Sequence, residues 1–409
     1  MKKLVLSLFC FIHLSATMVS NEFVKDDLDV LKDLDIETSY IKDRNFQEFY
    51  NKYSTRYENS YIKTLNNGGD YIPEIKNILK ENDVPSVFLY MAMAESNFVL
   101  EAQSNKKALG LWQFMPGTAK ALGLKKNKYV DERMDFIKST EAAVKYLTRL
   151  HKIFGSWYLA ALSYNAGDAR VIEAITRATI DMYCEDNDCN NDKMIQGFKD
   201  TLKKYQQKRV KYTEVRKIYD VVKEWKYKPT INHLLSVQEN VERQYLPPES
   251  RNYIKKIITL AMMNNNNSDM FVNDKKVINE GTGSNLARVD VSGGMLLKNI
   301  ANLAGVSTNQ LKELNPHLKK NITPPSEKKT QLYIPKSNLA TFHANKKSNL
   351  EDDLNNIQSD YVKTYVVKKG DNLAKIAKQF GTTTQQLMKD NGLKSQKVKK
   401  GDTLVIKVQ

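Results

Sequence analysis

Helical spacing of apolar residues is clearest in residues 85–98, where one carboxylate interrupts an apolar stripe. Four residues recur there at intervals of three and four, namely Phe88, Met91, Ala92 and Glu95. Asp83 and Pro85 suit the start of this predicted helix. A lone buried carboxylate is costly unless it is paired or protonated. Glu95 is therefore either a core residue that an arginine or a backbone amide satisfies, or a functional acid.

Helical spacing continues through residues 70–262, in which we find no convincing strand pattern. Ser139 is expected to cap one helix of this region and Asp168 another. Residues 21–82 are polar and helix-prone, and we expect them to form a helical lead that braces the domain after it. The pattern predicts a mainly α protein, with an all-α domain over residues 83–263.

The tail of the chain repeats itself after a polar, aperiodic linker of residues 264–288. Residues 361–409 repeat a pattern found in residues 289–336, and the matching residues are each 76 positions apart. The matching pairs include Gly294 with Gly370, Ile300 with Ile376, Leu311 with Leu387, and Asn315 with Asn391. Each copy predicts a βααβ unit, because two short helical patterns lie between strand-like segments. Residues 337–360 form a second polar linker.

Residues 1–20 have the pattern of a secretory signal peptide. Lys2 and Lys3 precede an apolar run that is too short to span a bilayer as a mature helix. Cys10 raises the question of a lipid anchor, but the bulky Phe9 stands where a lipoprotein signal has a small residue. We therefore expect an exported, periplasmic protein, and the sequence argues against a lipid anchor.

Length, charge and cysteine content limit the number of domains, the kinds of partner and the roles of the cysteines. The 409 residues suffice for two or three domains, and the formal net charge of +16 favours an anionic partner such as cell-wall polymer or a membrane surface. Export argues against nucleic acid as that partner. Only Cys184 and Cys189 would remain after removal of the signal. They are too few for a zinc site, and an oxidising compartment would favour a local disulfide between them.

Four short blocks of sequence indicate a family. In chain order they are Glu95–Phe98 (ESNF), Ala108–Pro116 (ALGLWQFMP), Ala160–Gly167 (AALSYNAG) and Leu246–Tyr253 (LPPESRNY). One block alone would be a weak signal, but all four in this order resemble the catalytic domain of the soluble-lytic-transglycosylase family. The resemblance implies a lysozyme-like all-α domain that acts on the glycan strands of peptidoglycan, with no cofactor and no metal.

The resemblance also implies a mechanism with a single carboxylate. Most glycosidases use two carboxylates, an acid and a nucleophile or base. Glu101 and Glu141 belong to none of the four blocks and are typical of solvated helix charges. In the family, the C6 hydroxyl of N-acetylmuramic acid attacks its own C1 and leaves a 1,6-anhydro sugar. Glu95 would first protonate the departing oxygen and then accept the proton of that hydroxyl.

Five further residues take candidate substrate-binding roles from the resemblance. Ser104 and Gln113 match positions that contact the sugar. The alternative is that each is an ordinary polar loop residue. Tyr164 matches a position that hydrogen-bonds near the acid, or it is a buried structural tyrosine. Asn165 is expected to orient the turn after it. Tyr253 is expected either to stack on sugar or to pack in the core.

The loop before the second block departs from the family pattern. Lys107 and Ala108 stand where members commonly have Gly-Ala. Either the loop has a different geometry here, or the family's glycine is dispensable.

The two βααβ units resemble LysM modules, a family that binds glycans containing N-acetylglucosamine. The copy at 289–336 departs from the pattern, since Gly293–Met295 replaces the usual Gly-Asp turn and two prolines interrupt its end. We expect it to keep the fold, with its glycan binding left open. If both modules are tethers, removal of residues 288–409 should weaken binding to insoluble peptidoglycan and spare turnover of small soluble glycan.

Three functions remain open from the sequence. The first is a periplasmic lytic transglycosylase. The second is a hydrolytic muramidase of the goose-lysozyme kind, which would need a second acid to activate water. The third is a non-catalytic protein that only binds the cell wall, against which the intact Glu95, Gln113 and Tyr164 argue. Partners within the cell-wall machinery are not identified by the sequence.

Overall fold

The computed structural model describes residues 23–239, 241–266, 284–355 and 362–407. The predicted signal segment 1–20 and residues 267–283 of the first predicted linker lie outside the described residues. The second predicted linker, 337–360, is described up to residue 355, and Leu339–Asn355 of it form a helix. Within the described residues, the mainly α fold expected from the sequence is confirmed: helices fill residues 25–266, and strands occur only in the tail. No helix of the described part of the chain is both long and apolar enough to cross a membrane.

Twelve α-helices make up the described region before residue 267. They are α1 Lys25–Asp33, α2 Arg44–Asn67, α3 Ile72–Glu81, α4 Phe88–Ser96, α5 Pro116–Ala121, α6 Phe136–Phe154, α7 Trp157–Ala166, α8 Asp168–Asp186, α9 Lys193–Gln206, α10 Tyr212–Val222, α11 Ile231–Leu235 and α12 Pro248–Asn266. Short 3-10 turns cover Thr38–Lys42 and Glu132–Met134. Helix α12 packs against α1, α2, α4 and α7. It therefore lies at the centre of the fold, between the lead helices and the helix that carries Glu95.

Helix α4 is buried on nearly all sides, and it begins later than the sequence suggested. Asp83 has a left-handed backbone with φ of +54° and caps nothing, and the helix starts only at Phe88. The expectation of a cap at Asp83 was wrong, because residues 85–87 form turns. The helix ends at Ser96 because Asn97 is left-handed, with φ of +51°. The Tyr57 hydroxyl holds that turn by donating to Asn97 Oδ1 at 2.6 Å.

Helix α6 also begins at a different residue from the predicted one. Asp135, and not Ser139, is its cap, since Asp135 Oδ1 accepts hydrogen bonds from the backbone N–H groups of Ile137 and Lys138, both at 3.1 Å. Ser139 is fully buried inside the helix. A carboxylate that reaches two of the otherwise unpaired N–H groups is the stronger cap. For α8, the expected cap at Asp168 was wrong by one residue, since Asp168 is already the first residue of the helix and Gly167 occupies the cap position.

The tail folds as two βααβ units, as the repeat predicted. In the first unit, strand β1 Leu286–Ser292 pairs antiparallel with β2 Lys329–Pro335, with Leu286 opposite Pro335, and α13 Leu297–Ala304 and α14 Thr308–Leu314 lie between them. A 3-10 turn Lys336–Asn338 and helix α15 Leu339–Asn355 come next. In the second unit, β3 Val362–Val366 pairs antiparallel with β4 Thr403–Lys407 around α16 Leu373–Gln379 and α17 Thr384–Asn391.

The first βααβ unit is packed firmly against the helical region. Tyr333 of β2 is 1% exposed, and its hydroxyl donates to Asp135 Oδ1 at 2.6 Å, while its ring lies 4.5 Å from that of Phe136. The backbone N–H of Lys319 donates to Tyr129 O at 2.7 Å. Because this unit shares a core with the helical region, it is not a free tether. Deletion of residues 288–409 would therefore disturb the helical fold as well, contrary to the expectation from sequence.

A helical hairpin formed by α9 and α10 lies along α8. Its buried cluster contains Ile172 and Ile180 of α8 together with Ile195 of α9 and Val215 of α10. A disulfide joins Cys184 and Cys189 next to it. The local cysteine pairing expected for an oxidising compartment is thus present in the structure.

Candidate active site

Glu95 lies in the last turn of α4, where that helix faces α12. Its side chain is half-buried, and Tyr253 of α12 donates its hydroxyl to Glu95 Oε1 at 2.6 Å. One turn further along α12, Lys256 Nζ donates to the carbonyl oxygen of Ala94 at 2.6 Å. Two polar groups of α12 therefore meet the carboxylate and the backbone beside it.

The surroundings of Glu95 tune its acidity to near-neutral pH. Burial raises the pKa of Glu95 from its ordinary value of 4.5 to about 7, against the hydrogen bond from Tyr253 and the charge of Lys256, which lower the pKa. Glu249 at the start of α12 adds a smaller upward effect on this pKa. A carboxyl group with a pKa near 7 can both give and take a proton at neutral pH, as general acid–base catalysis requires.

Tyr164 lies close to Glu95 but directs its hydroxyl elsewhere. The hydroxyl donates to the carbonyl oxygen of Trp112 at 2.7 Å, and the ring lies between those of Phe114 and Tyr146, at 5.8 and 5.3 Å. Burial, and then the nearby Glu95 charge, raise the pKa of Tyr164 well above its usual range. Its phenol therefore remains neutral beside the acid.

Tyr253 makes the direct hydrogen bond to the acid. Its side chain is 8% exposed, which leaves little of the ring available for stacking on a sugar. Burial and the adjacent Glu95 carboxylate raise the pKa of Tyr253 far above its ordinary value, so the hydroxyl stays a donor. Of the two roles considered from sequence, packing in the core agrees with this burial, and the hydroxyl contacts the acid as well.

The loop that carries Ser104 and Gln113 is built on side-chain to backbone bonds. Ser104 Oγ accepts a bond from the N–H of Ala108 at 3.0 Å. Gln113 has a left-handed backbone, and its Nε2 donates to the carbonyl oxygens of Ala102 and Gly110 at 2.7 and 2.8 Å. Both side chains are half-buried, and both shape the loop.

A buried ion pair supports this loop through hydrogen bonds to its backbone. Arg133 donates from Nε and Nη2 to the two carboxylate oxygens of Asp131 at 2.9 and 2.8 Å, and both side chains are 5% exposed. Arg133 Nη1 also donates to the carbonyl oxygens of Lys107 and Phe114, at 2.9 and 3.1 Å. Every nitrogen of the guanidinium is therefore used, and the two ends of the loop are joined.

Besides Gln113, two residues of this loop depart from ordinary backbone geometry, Lys107 and Gly110. Lys107 has φ of +69°, so the loop keeps a left-handed residue where the family commonly has glycine. Gly110 has φ of +87°, and a Cβ there would lie 1.8 Å from the carbonyl oxygen of Arg133. Only glycine fits at that position.

Asn165 connects two of the four sequence blocks. Its Oδ1 accepts a hydrogen bond from Ser250 Oγ at 2.7 Å, which ties the end of α7 to the start of α12. Trp112, by contrast, is fully buried and donates from Nε1 to Thr140 Oγ1 at 2.9 Å. The structure thus brings Glu95, Tyr164 and Tyr253 together, with Asn165 joining the helices around them.

Sequence reasoning missed three contributors to this site: Lys256, Glu249 and the Asp131–Arg133 pair. Lys256 lies three residues after Tyr253 on one helix, a spacing that puts both on the same face. That spacing was a usable signal once Tyr253 had been singled out. Glu249 lies in the fourth block but is exposed. Nothing in the local sequence distinguishes Arg133, whose bonds reach back 26 residues.

Comparisons with known proteins identify three domains in the chain. Residues 73–182 match the family model of the transglycosylase SLT domain, residues 285–349 that of the LysM-like domain of the lytic transglycosylase MltD, and residues 365–407 that of the LysM domain. The family resemblance drawn from the four blocks is confirmed. The chain contains an SLT domain followed by a LysM-like and a LysM domain.

Several curated proteins are similar to the chain. Membrane-bound lytic murein transglycosylase D of Escherichia coli (strain K12) is 26% identical over 349 residues, which are 82% of this chain and 63% of that protein. The chain therefore spans less than two thirds of this relative's length. A protein of Alteromonas sp. (strain M-1) named for tributyltin chloride resistance is 37% identical over 107 residues, 26% of this chain and 52% of its own. Peptidoglycan transglycosylase gp16 of Escherichia phage T7 is 41% identical over 83 residues, 20% of this chain and 6% of its own.

Proposed function

We propose that this chain, with its SLT domain and two LysM-type domains, is a lytic murein transglycosylase. It would cleave the β-1,4 bond between N-acetylmuramic acid and N-acetylglucosamine and leave a 1,6-anhydro end. The observation that carries the proposal is the half-buried Glu95, whose pKa of about 7 suits a group that both donates and accepts a proton. The names of the Escherichia coli and phage T7 relatives support the same reaction class.

In the proposed first step, protonated Glu95 donates its proton to the glycosidic oxygen while the bond from C1 of the muramic acid to that oxygen breaks. Positive charge then develops at C1. The Glu95 carboxylate that forms is stabilised by the Tyr253 hydroxyl, 2.6 Å away, and by the charge of Lys256. Tyr164, neutral and near Glu95, is proposed to lie on the same side of the sugar, with its hydroxyl proton held by Trp112 O.

In the proposed second step, the C6 hydroxyl of the same sugar attacks C1, and the Glu95 carboxylate accepts its proton. One C–O bond is broken and one is formed, and no water is consumed. Glu95 returns to the protonated form in which it began. A single carboxylate is therefore sufficient, because the substrate provides the nucleophile.

Ser104 and Gln113 are proposed to contact the sugar. Gln113 Nε2 is fully committed to the loop, so its amide oxygen is the atom that would accept a bond from substrate. Ser104 Oγ already accepts from the N–H of Ala108 and would act as a donor. Asn165 would act through Ser250, by fixing α12 and hence Tyr253.

Hydrolysis by a muramidase is the second candidate, and Glu249 is the observation that favours it. This carboxylate lies near enough to raise the pKa of Glu95, and it is exposed to solvent, as a group that activates water would be. Glu101 and Glu141 are exposed too, but neither is among the main influences on the Glu95 pKa. Mass spectrometry of purified peptidoglycan after digestion distinguishes the two reactions. Anhydro ends support the transglycosylase, and ends heavier by one water support the muramidase.

Lys256→Met should move the alkaline limit of activity to higher pH. Lys256 lowers the pKa of Glu95, so removing the ammonium raises that pKa, and the acid form survives further above pH 7. The measurement is the pH dependence of kcat. Lys255→Met is the matched control, because Lys255 lies on the same helix but over the ring of Phe49, at 5.8 Å. This role would be contradicted if the alkaline fall in kcat occurs at the same pH in Lys256→Met as in the wild type. It would also be contradicted if the control shifts that pH equally.

The LysM module of residues 362–407 is proposed to hold the enzyme on its polymer, in the periplasm of the cell. Its buried cluster is separate from that of the helical region, and Lys128 Nζ reaches it with a bond to Thr403 O at 3.4 Å. Deletion of residues 356–409 should weaken sedimentation with insoluble peptidoglycan and leave turnover of short soluble glycan within about 2-fold. Equal loss on both substrates would show that this module belongs to the catalytic fold.

A further inference from the structure

The α9–α10 hairpin lies outside the matched SLT segment, and the proposed reaction does not use it. Residues 193–228 contain twelve Lys or Arg and only four Asp or Glu. All four acids are paired within the hairpin, for example Asp200 with Lys204 at 2.6 Å and Glu214 with Lys217 at 3.0 Å. The remaining positive charge is therefore available to a partner.

The tip of this hairpin, residues 207–211, carries the most concentrated part of that charge. Lys208, Arg209 and Lys211 are exposed, and none of them forms an ion pair with any of the described residues. Lys203, one turn before the tip on α9, is exposed and equally unpaired in the described part of the chain. Four cations thus project from one short segment.

The direction of the hairpin brings this tip to the first turns of α8, which follow the third sequence block directly. Gln206, the last residue of α9, donates from Nε2 to Glu173 Oε1 at 2.9 Å, near the start of α8. At the other end, Trp225 lies 4.9 Å from the ring of Tyr183, and Tyr227 donates to Asp186 at 3.0 Å. Helix α10 therefore runs parallel to α8, with the tip beside the first turns of α8 and the open end about 27 Å away.

The first turn of α8 adjoins the wall of the site. Asp168 Oδ2 lies 3.9 Å from Arg149 Nη2, and the Arg149 guanidinium lies over the ring of Tyr146, at 5.2 Å. The Tyr146 ring is in turn 5.3 Å from that of Tyr164. Burial is the largest cause of the raised pKa of Tyr146 and of Tyr212, the residue just after the tip. The negative charge of Asp168 also raises both pKa values. Contacts therefore join Tyr164, which lies near Glu95, to Asp168, and the Asp168 charge acts on Tyr212 beside the basic tip.

We propose that the basic tip, Lys208, Arg209 and Lys211, is a subsite for the carboxylates of the peptide stems on the murein strand. This inference rests on the proposed function and names the part of the substrate that the tip recognises. A glycan strand that occupies the site presents its stems to the rim, where exposed cations attract carboxylates and speed their encounter. Charge complementarity and continuity with the site favour this ligand over a lipid surface.

The test compares two variants that reverse three charges each, K208E/R209E/K211E at the tip and K193E/K226E/K228E at the open end. Two substrates are used: intact peptidoglycan, and peptidoglycan whose carboxylates have been converted to methyl amides. At low salt we expect the tip variant to lose about 10-fold in kcat/KM on intact substrate, and to match the wild type on amidated substrate. The open-end variant should stay within about 2-fold on both, and raised salt should shrink the tip effect.

Three results would overturn the subsite. Equal losses in both variants would show a general effect of net charge, and equal losses of the tip variant on both substrates would show a structural role. If the tip variant loses binding to vesicles of anionic phospholipid and keeps wild-type binding to peptidoglycan, the tip would be assigned to a membrane. Co-sedimentation of each variant with intact and amidated peptidoglycan measures the subsite without turnover. If the wild type forms no anhydro ends, the proposed function fails, while this binding result still decides the inference.

Discussion

Glu95→Gln should abolish turnover and leave the protein folded and able to bind glycan. Glutamine keeps the shape of the side chain and can accept the bond from Tyr253, but it cannot deliver a proton. General acid catalysis alone contributes about 100-fold to 10,000-fold, and the same group also serves as the base. Anhydro ends released from peptidoglycan are the measurement. A variant that keeps a tenth of wild-type turnover would place the catalytic acid elsewhere.

The same substitution should stabilise the protein at alkaline pH. The folded state raises the pKa of Glu95 from 4.5 to about 7, so it binds the proton more tightly than the unfolded chain does. Wild-type stability is therefore unaffected below about pH 4.5, falls between 4.5 and 7, and above 7 carries a cost of up to about 3 kcal/mol. The neutral glutamine side chain has no such cost. Thermal unfolding should show the variant more stable at pH 8 and nearly equal to the wild type at pH 4.

Gly110→Ala should be the most damaging substitution in the loop that carries Ser104 and Gln113. The added Cβ would lie 1.8 Å from the carbonyl oxygen of Arg133, which belongs to the 3-10 turn that supports the loop. Backbone must move to relieve the overlap, and the Arg133 bonds to Lys107 and Phe114 would be lost with it. We expect at least about 3 kcal/mol of destabilisation, with much reduced activity in any protein that folds.

Gly123→Ala is the matched control for this prediction. Gly123 has nearly the same backbone, with φ of +88° against +87° at Gly110, but a Cβ there meets nothing within 4 Å. The control isolates the cost of the left-handed backbone, about 1–2 kcal/mol. Denaturant unfolding of both variants gives the comparison. Equal losses of stability would show that the close approach to Arg133 contributes nothing.

Helices were predictable from the sequence where apolar spacing and local chain chemistry agree. The end of α4 at Ser96 is consistent with such signals, and the start of α8 lies within one residue of the expected cap. The start of α6 was missed because both Asp135 and Ser139 are good cap residues, and tertiary packing decides between them. Asp135 is also the acceptor for Tyr333, 198 residues away, a contact that no local pattern contains.

The candidate site likewise has features that the local sequence predicts and features that depend on packing between distant segments. Glu95 could be singled out because a carboxylate on an apolar stripe is rare, and the four blocks identified its neighbours. The bond from Tyr253 to Glu95 joins residues 158 positions apart, and it depends on how α12 packs against α4. Spacing along the chain could not show which tyrosine meets the acid. The docking of the first βααβ unit was missed for the same reason, since the repeat predicts the fold of the unit but not the surface that it packs on.

The central claim is that the substrate's own hydroxyl, and not water, attacks the sugar. Digestion of purified peptidoglycan in water enriched in heavy oxygen, with mass spectrometry of the released fragments, tests it most directly. The proposed reaction predicts anhydro ends that carry no label, because no oxygen enters from solvent. Reducing ends that carry one labelled oxygen each would contradict it and would assign the chain a hydrolytic reaction, with Glu249 the first carboxylate to test as the activator of water.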